Sequence, residues 1–296
     1  MSLAELLTAA ITNTPLARPR DDELDLFGLT HTGKVRKENQ DHFLLGTVHQ
    51  QVVIHGTSLP APEALSRPGE RLATILLVAD GVGGGSGGRE ASELAAQTIA
   101  RYVSSTLRSY DVAGSSSGED FLAALRAAAS EAHATVRAEA KARAEGKQMA
   151  TTLTVVIAVW PWAYVLQVGD SRCYLLQDGA LRQVTRDQTV AQDLVDLGVL
   201  PPDRVRASPY NNVLARAIGA EEATPEVTRV DIARKGTVIF LCSDGLTKHV
   251  SDAEIATQLA TMKSSEQACR ALVDLALERG GSDNVTVLIG RRKPSA

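Results

Sequence analysis

The sequence has few cysteines, few aromatic residues and no long apolar run. Its three cysteines, Cys173, Cys242 and Cys269, form no C-x-x-C pair in a chain of 296 residues, which excludes a disulfide framework and a cysteine-based zinc site. No stretch approaches the roughly 18 consecutive apolar residues of a membrane helix. Residues 1–20 lack the basic start of a signal peptide. These absences predict a cytoplasmic protein with reduced thiols and no membrane contact.

An excess of positive charge is also missing. The formal net charge is −4 at pH 7, whereas a nucleic-acid-binding protein normally carries a basic stripe. Hydrophobic residues make up 44% of the chain, which is enough for a sizeable core. We therefore expect no nucleic-acid partner, and we expect a monomer.

Periodicity predicts strands and paired helices. Short apolar runs predict strands at residues 72–79, 151–159, 163–168, 237–242 and 284–289. Three- and four-residue spacing predicts one helix pair at 89–107 and 119–145 and a second at 252–262 and 266–279. Because several strands follow one another without an intervening helix, the pattern favours antiparallel sheets covered by helix pairs.

Three segments stand apart from this pattern. Residues 1–20 form an N-terminal extension, and residues 21–296 are expected to form a single domain. An irregular, proline-containing insert is predicted at about 49–70. A surface flap is predicted at about 187–219, where a short helix around 190–197 is followed by Pro201, Pro202 and Pro209.

Five aspartates are candidate metal ligands. Asp80 and Asp244 each precede a glycine after an apolar run, and Asp283 lies at a helix-to-strand junction; Asp41 and Asp170 are the other two. Oxygen ligands suit Mg²⁺ and Mn²⁺, and two such ions can activate a shared water toward phosphorus. An Asp-Gly after a strand is, however, also a common turn. The residues alone leave both interpretations open.

A glycine-rich stretch suggests a different function. Gly83, Gly85 and Gly88 satisfy the G-x-G-x-x-G pattern of dinucleotide-binding loops between a strand and a helix. That pattern requires a second parallel strand after the helix, and here a second helix is predicted instead. A nucleotide-binding enzyme is therefore kept only as an alternative.

Six motifs, in order along the chain, resemble those of the protein phosphatase 2C family of metal-dependent protein serine/threonine phosphatases. They are Gly33-Lys34-Val35-Arg36-Lys37-Glu38-Asn39-Gln40-Asp41, Val78-Ala79-Asp80-Gly81-Val82-Gly83-Gly84, Ala150-Thr151-Thr152-Leu153, Val168-Gly169-Asp170-Ser171-Arg172, Cys242-Ser243-Asp244-Gly245-Leu246 and Ser282-Asp283-Asn284. The flap, with Thr185-Arg186-Asp187 at its start, then Leu194-Val195, and residues 212–219 at its end, is similar to that of the bacterial branch of the family.

The resemblance implies a role for each aspartate. Asp80 would bridge two Mn²⁺ or Mg²⁺ ions, and Asp244 and Asp283 would complete the ligands of the first. The carbonyl of Gly81 would bind the second ion, and Asp41 would reach it. Asp170, with Asp244, would hold a possible third ion.

The same resemblance implies the phosphate ligand. Arg36 would bind the substrate phosphate, to which a guanidinium can donate two parallel hydrogen bonds. Two positions depart from the family. Val82 stands where eukaryotic members often have histidine, and Gln40 replaces a common carboxylate.

The resemblance also implies a fold and a reaction. The fold is expected to be α+β, a sandwich of two antiparallel β-sheets flanked on each side by a pair of antiparallel helices (αββα). The reaction is expected to be hydrolysis of phosphoserine and phosphothreonine in proteins by direct attack of a metal-bridging hydroxide. The substrates would be phosphorylated proteins, the targets of a serine/threonine kinase. A catalytically weak, phosphatase-like regulatory module is the main alternative.

Overall fold

The structure, a computed structural model, describes residues 17–50, 69–83, 86–112, 118–143 and 148–293. Residues 1–16 of the predicted extension and residues 51–68 of the predicted insert lie outside the described residues. No helix in the described ranges is long and apolar enough to span a membrane.

Eleven strands and six helices are present in the described part of the chain. The strands are β1 (Leu24–His31), β2 (Asp41–Gln50), β3 (Glu70–Val82), β4 (Ala150–Thr151), β5 (Leu153–Val159), β6 (Trp162–Val168), β7 (Arg172–Gln177), β8 (Ala180–Gln183), β9 (Glu226–Asp231), β10 (Val238–Cys242) and β11 (Val285–Arg292). The helices are α1 (Ser86–Val112), α2 (Gly118–Ala142), α3 (Val190–Asp196), α4 (Asp244–Thr247), α5 (Asp252–Thr261) and α6 (Ser265–Glu278).

The strands form two antiparallel sheets. One sheet has the order β1-β11-β10-β7-β8, and the other has the order β2-β3-β5-β6-β9, with β4 paired to the end of β3. Apolar side chains from both sheets form a central core that includes Leu76, Val156, Leu175 and Leu241. The two sheets therefore pack face to face.

Each sheet buries its outer face under a helix pair. Helices α1 and α2 pack on the sheet that contains β3, through a core that includes Leu77, Ile99 and Leu125. Helices α5 and α6 cover the other sheet. The Ser251 hydroxyl caps α5 in a full capping box with Glu254. This arrangement confirms the αββα sandwich predicted from the sequence.

The apolar runs predicted as strands coincide with parts of β3, β4, β5, β6, β10 and β11 to within one residue at their ends, with residue 152 separating β4 from β5, and the four long predicted helices are present. Strand β2 ends at Gln50 and strand β3 begins at Glu70, so both strands extend slightly into the predicted insert. The predicted flap contains α3 and a 3-10 turn at Pro202–Ala207. Strand β3 continues through Asp80 to Val82, because Gly81 and Val82 pair with β4. Asp80 therefore lies within a strand and not in a turn.

The predicted site residues lie at one end of the sandwich. Asp41 begins β2 and is the cross-strand neighbour of Asp80 near the end of β3. Asp244 follows β10 and Asp283 precedes β11, and these two strands are adjacent and antiparallel. Antiparallel pairing therefore brings the end of one strand beside the start of its neighbour.

Candidate metal centre

Hydrogen bonds with Thr151 in β4 and with Thr152, which precedes β5, hold the backbone of Asp80. The Asp80 N–H donates to the Thr152 hydroxyl at 3.0 Å, and the Asp80 carbonyl accepts from the Thr152 N–H at 2.8 Å. The same carbonyl accepts from the Thr151 hydroxyl at 2.9 Å. The Thr152 hydroxyl in turn contacts Ser171 at 2.8 Å. The Asp80 side chain is thus presented from a fixed backbone.

Asp41 is buried, and only one of its two carboxylate oxygens accepts hydrogen bonds. Its Oδ2 atom accepts from the hydroxyls of Ser243 at 2.8 Å and Thr286 at 2.6 Å. Its Oδ1 atom is buried without a hydrogen-bond partner. Burial raises the pKa of Asp41 to about 6, and the two hydroxyls oppose this shift.

Asp244 and Asp283 share one cation, and Asp283 pairs with a second. Asp244 is the first residue of α4, and Lys248 Nζ lies 2.6 Å from its Oδ2 atom and 2.7 Å from Oδ2 of Asp283. Arg36, in the loop between β1 and β2, donates from Nε to Asp283 Oδ1 at 2.7 Å and from Nη2 to Oδ2 at 2.9 Å. Asp244 Oδ1 is buried without a partner.

Asp170 completes the cluster from the loop after β6. It is 8% exposed, and burial and the charge of Asp244 raise its pKa well above the ordinary value. Two residues further on, Arg172 makes a bidentate pair with Asp187, with Nε–Oδ1 at 2.9 Å and Nη2–Oδ2 at 2.6 Å. Arg172 therefore links the end of this motif to the start of the flap.

The five carboxylates repel one another unequally. Burial and the charges of Asp41 and Asp244 raise the pKa of Asp80 well above its usual range. Burial also raises the pKa of Asp244, although Lys248 opposes it. For Asp283, burial is outweighed by Arg36 and Lys248, and its pKa is lowered. Arg36 and Lys248 therefore neutralise the negative charge near Asp283, whereas the carboxylates around Asp80 keep an excess of negative charge.

The donor set fits hard divalent cations. In the described residues, no three carboxylate, imidazole or thiol side chains already surround one point closely enough to ligate an ion. Two buried oxygens, Asp41 Oδ1 and Asp244 Oδ1, nevertheless lack any hydrogen-bond donor, and unsatisfied buried carboxylate oxygens are costly. An all-oxygen set with excess negative charge is what Mg²⁺ and Mn²⁺ require.

The structure brings together the predicted site residues. Asp41, Asp80, Asp170, Asp244 and Asp283 interact electrostatically at one end of the sandwich, and Arg36 pairs with Asp283. Gly81 is packed so tightly that a Cβ atom would lie 2.3 Å from the Gly88 carbonyl oxygen, which explains the glycine. Its role as a carbonyl ligand stays a prediction.

The motif analysis missed the groups that support the aspartates. Lys248 is one of these groups. Its position four residues after Asp244 could have predicted the ion pair, since residues with this spacing share a helix face. The Asn284 side chain is another: its Oδ1 accepts from the Gln40 N–H at 2.9 Å, and its Nδ2 donates to two carbonyls of the same loop. It thereby ties the loop of Arg36 to the start of β11.

The glycine-rich stretch lies in a setting unlike that of a nucleotide fold. The strand before it, β3, has antiparallel neighbours, and the helix after it, α1, packs against α2. The β-α-β unit of a dinucleotide site needs parallel strands. Gly88 instead provides the close contact with Gly81 beside Asp80.

A sandwich of this kind with an acidic cluster at one end defines the class of metal-dependent phosphatases. The family model "Protein phosphatase 2C" matches residues 64–279. The chain is 36% identical over 217 residues to the serine/threonine protein phosphatase PstP of Mycobacterium tuberculosis, a match that covers 73% of this chain and 40% of that protein.

Solved structures agree with this match. The crystal structure of the Mycobacterium tuberculosis phosphatase PstP/Ppp superimposes with a TM-score of 0.73 at 30% identity, covering 92% of this chain and 99% of that one. The PstP catalytic domain in complex with two manganese ions gives a TM-score of 0.69 at 30% identity, with the same coverage. The chain belongs to the protein phosphatase 2C family.

Proposed function

We propose that this protein removes phosphate from phosphoserine and phosphothreonine in other proteins, using two Mn²⁺ or Mg²⁺ ions. The observation that carries the proposal is the cluster of Asp41, Asp80, Asp170, Asp244 and Asp283, in which two buried carboxylate oxygens have no donor. Family membership supports the reaction. The manganese ions in the related PstP structure support the choice of cofactor.

In this proposal each side chain has a defined task. Asp80 would contact both ions, Asp244 and Asp283 would hold the first, and Asp41 with the Gly81 carbonyl would hold the second. When bound, such ions supply Lewis acidity and lower the pKa of water. The Arg36 side chain is half exposed beside Asp283, so its guanidinium group can rotate toward a phosphate.

The proposal extends to the substrate and the domain. A cavity of about 880 Å³ is lined by Val82, Gly83 and flap residues 212–217, and it could accept part of the protein segment that carries the phosphate. We expect its substrates to be kinase targets. Because β1 pairs with β11 along its whole length, residues 21–296 are proposed to form one catalytic domain. Three buried free cysteines are consistent with a reducing, cytoplasmic setting.

Release of phosphate from a phosphothreonine peptide is the direct test. The purified full chain is expected to hydrolyse the peptide with Mn²⁺, to lose that activity in EDTA, and to recover it when excess Mn²⁺ is returned. Full activity after exhaustive chelation would contradict the metal-dependent mechanism. Binding of Mn²⁺ without hydrolysis of any phosphopeptide would instead favour the regulatory module.

Arg36→Ala tests the phosphate ligand. With Mn²⁺ saturating, inhibition of p-nitrophenyl phosphate hydrolysis by inorganic phosphate should weaken about tenfold to a hundredfold. A charged hydrogen bond contributes about 1.5–3 kcal/mol, which corresponds to that range. Lys37→Ala, which removes the neighbouring exposed charge, is the matched control. An inhibition constant for phosphate that is the same in Arg36→Ala and wild type would show that Arg36 does not bind the phosphate.

A further inference from the structure

Asp283 already uses the whole hydrogen-bonding capacity of its carboxylate. Its Oδ1 atom accepts from Arg36 Nε at 2.7 Å and from the Asn284 N–H at 3.0 Å. Its Oδ2 atom accepts from Arg36 Nη2 at 2.9 Å and from Lys248 Nζ at 2.7 Å. A carboxylate offers about four lone-pair positions. A divalent ion can therefore bind Asp283 only if one of these donors leaves.

Lys248 is the donor that stands between the two proposed ligands of the first ion. Its ammonium contacts both Asp244 and Asp283, whereas Arg36 contacts Asp283 from an exposed loop. Helix geometry sets this position, because Lys248 follows Asp244 by four residues and its N–H donates to the Asp244 carbonyl at 2.9 Å. The lysine is only 25% exposed, so the pair is partly shielded from water.

We propose that Lys248 is a tethered counter-ion that competes with the first divalent ion for Asp244 and Asp283. It is a positioning residue: it keeps the two carboxylates together before the ion binds, and it leaves them when the ion arrives. This inference rests on the proposed metal centre. It predicts that the protein binds its first ion more weakly than the carboxylate set alone would allow.

The competition has two consequences of opposite sign. Removing the ammonium leaves Asp244 and Asp283 without their shared cation, so the metal-free protein should lose stability. It also removes the competitor, so the affinity for the ion should rise. Removing a lysine with a purely structural role would lower the stability of the metal-free protein without raising its affinity for the ion. The two measurements together therefore identify the role.

Lys248→Met is the variant to measure, because methionine retains an unbranched apolar stem without the charge. Titration calorimetry of the metal-depleted full chain with Mn²⁺ is expected to show one site tightened by roughly tenfold or more, a difference of about 1.4 kcal/mol. Its melting temperature in EDTA should be lower than that of wild type. Lys248→Arg, which keeps the charge, should leave Mn²⁺ affinity close to the wild-type value.

Lys263→Met is the matched control, since it removes an exposed lysine charge from the turn between α5 and α6. Dissociation constants for Mn²⁺ that agree in Lys248→Met, Lys263→Met and wild type would overturn the role of Lys248. A wild-type protein that binds no Mn²⁺ at all would overturn the metal centre itself, which is a distinguishable failure.

A second measurement needs no variant. Acetic anhydride labels lysines according to their accessibility, and mass spectrometry reports each site separately. Labelling of Lys248 in the wild-type protein should be several times faster with Mn²⁺ than in EDTA, while Lys263 is unchanged. Equal labelling of Lys248 in both conditions would show that it does not leave the carboxylates.

Discussion

Asp80→Asn should lower the turnover of a phosphothreonine peptide in saturating Mn²⁺ by more than roughly a hundredfold. Loss of a group that merely supports a metal ligand costs about 10–100-fold, and Asp80 is the proposed bridging ligand itself. Asparagine has nearly the same shape, and the backbone stays fixed by Thr151 and Thr152. The loss should therefore come from the missing charge. Initial rates of phosphate release measure it.

The same substitution should make the metal-free protein more stable. The Asp80 carboxylate is surrounded by Asp41 and Asp244, and burial of like charges destabilises the fold until cations balance them. Calorimetry in EDTA should therefore give Asp80→Asn a higher melting temperature than wild type, while added Mn²⁺ stabilises it less. Asp274→Asn, an exposed change on α6, should alter neither quantity. A variant that loses activity and stability together would indicate a structural role for Asp80.

The sequence predicted five of the six interior strands and missed the interior strand β7 and all four edge strands. The strands β3, β5, β6, β10 and β11 are apolar runs buried by neighbours on both sides. Strands β1, β2, β8 and β9 lie at the edges of the two sheets. Edge strands pair on one side only and carry polar residues that face water, as the alternating exposure along β8 shows. Their local pattern therefore differs little from that of a loop.

The candidate ligands could be predicted because each lies within a short sequence motif. The contacts around them could not be predicted, because they join residues that are far apart in the sequence. Thr286 and Asp41 are 245 residues apart, and only the packing of β2 beside β11 brings the hydroxyl to 2.6 Å from the carboxylate. The interpretation of Asp-Gly as a simple turn fails for a related reason. Pairing with β4 continues β3 through Asp80, and α4 begins at Asp244. The first fact depends on a neighbour that is distant in sequence, whereas the second is a short helix closed by the local hydrogen bond from the Lys248 N–H to the Asp244 carbonyl.

Proton delivery to the leaving group separates Asp170 from the other four aspartates. A serine or threonine alkoxide is a poor leaving group and needs a proton as the P–O bond breaks, whereas p-nitrophenolate does not. Val82 cannot provide one. The charges of both Asp244 and Asp187 act on Asp170. It would contribute by holding a further cation that makes nearby water more acidic.

We therefore expect Asp170→Ala to slow hydrolysis of a phosphothreonine peptide about a hundredfold more than hydrolysis of p-nitrophenyl phosphate, the lower range for loss of a general acid. The measurement is the ratio of the two rates in each protein. Asp187→Ala is the matched control: it removes the partner of Arg172 at the base of the flap and should leave the ratio near the wild-type value. Adding Val82→His to Asp170→Ala should restore part of the peptide reaction, because an imidazole beside Gly81 can supply the proton. Equal losses on both substrates would place Asp170 with the core carboxylates and would leave proton delivery to another group.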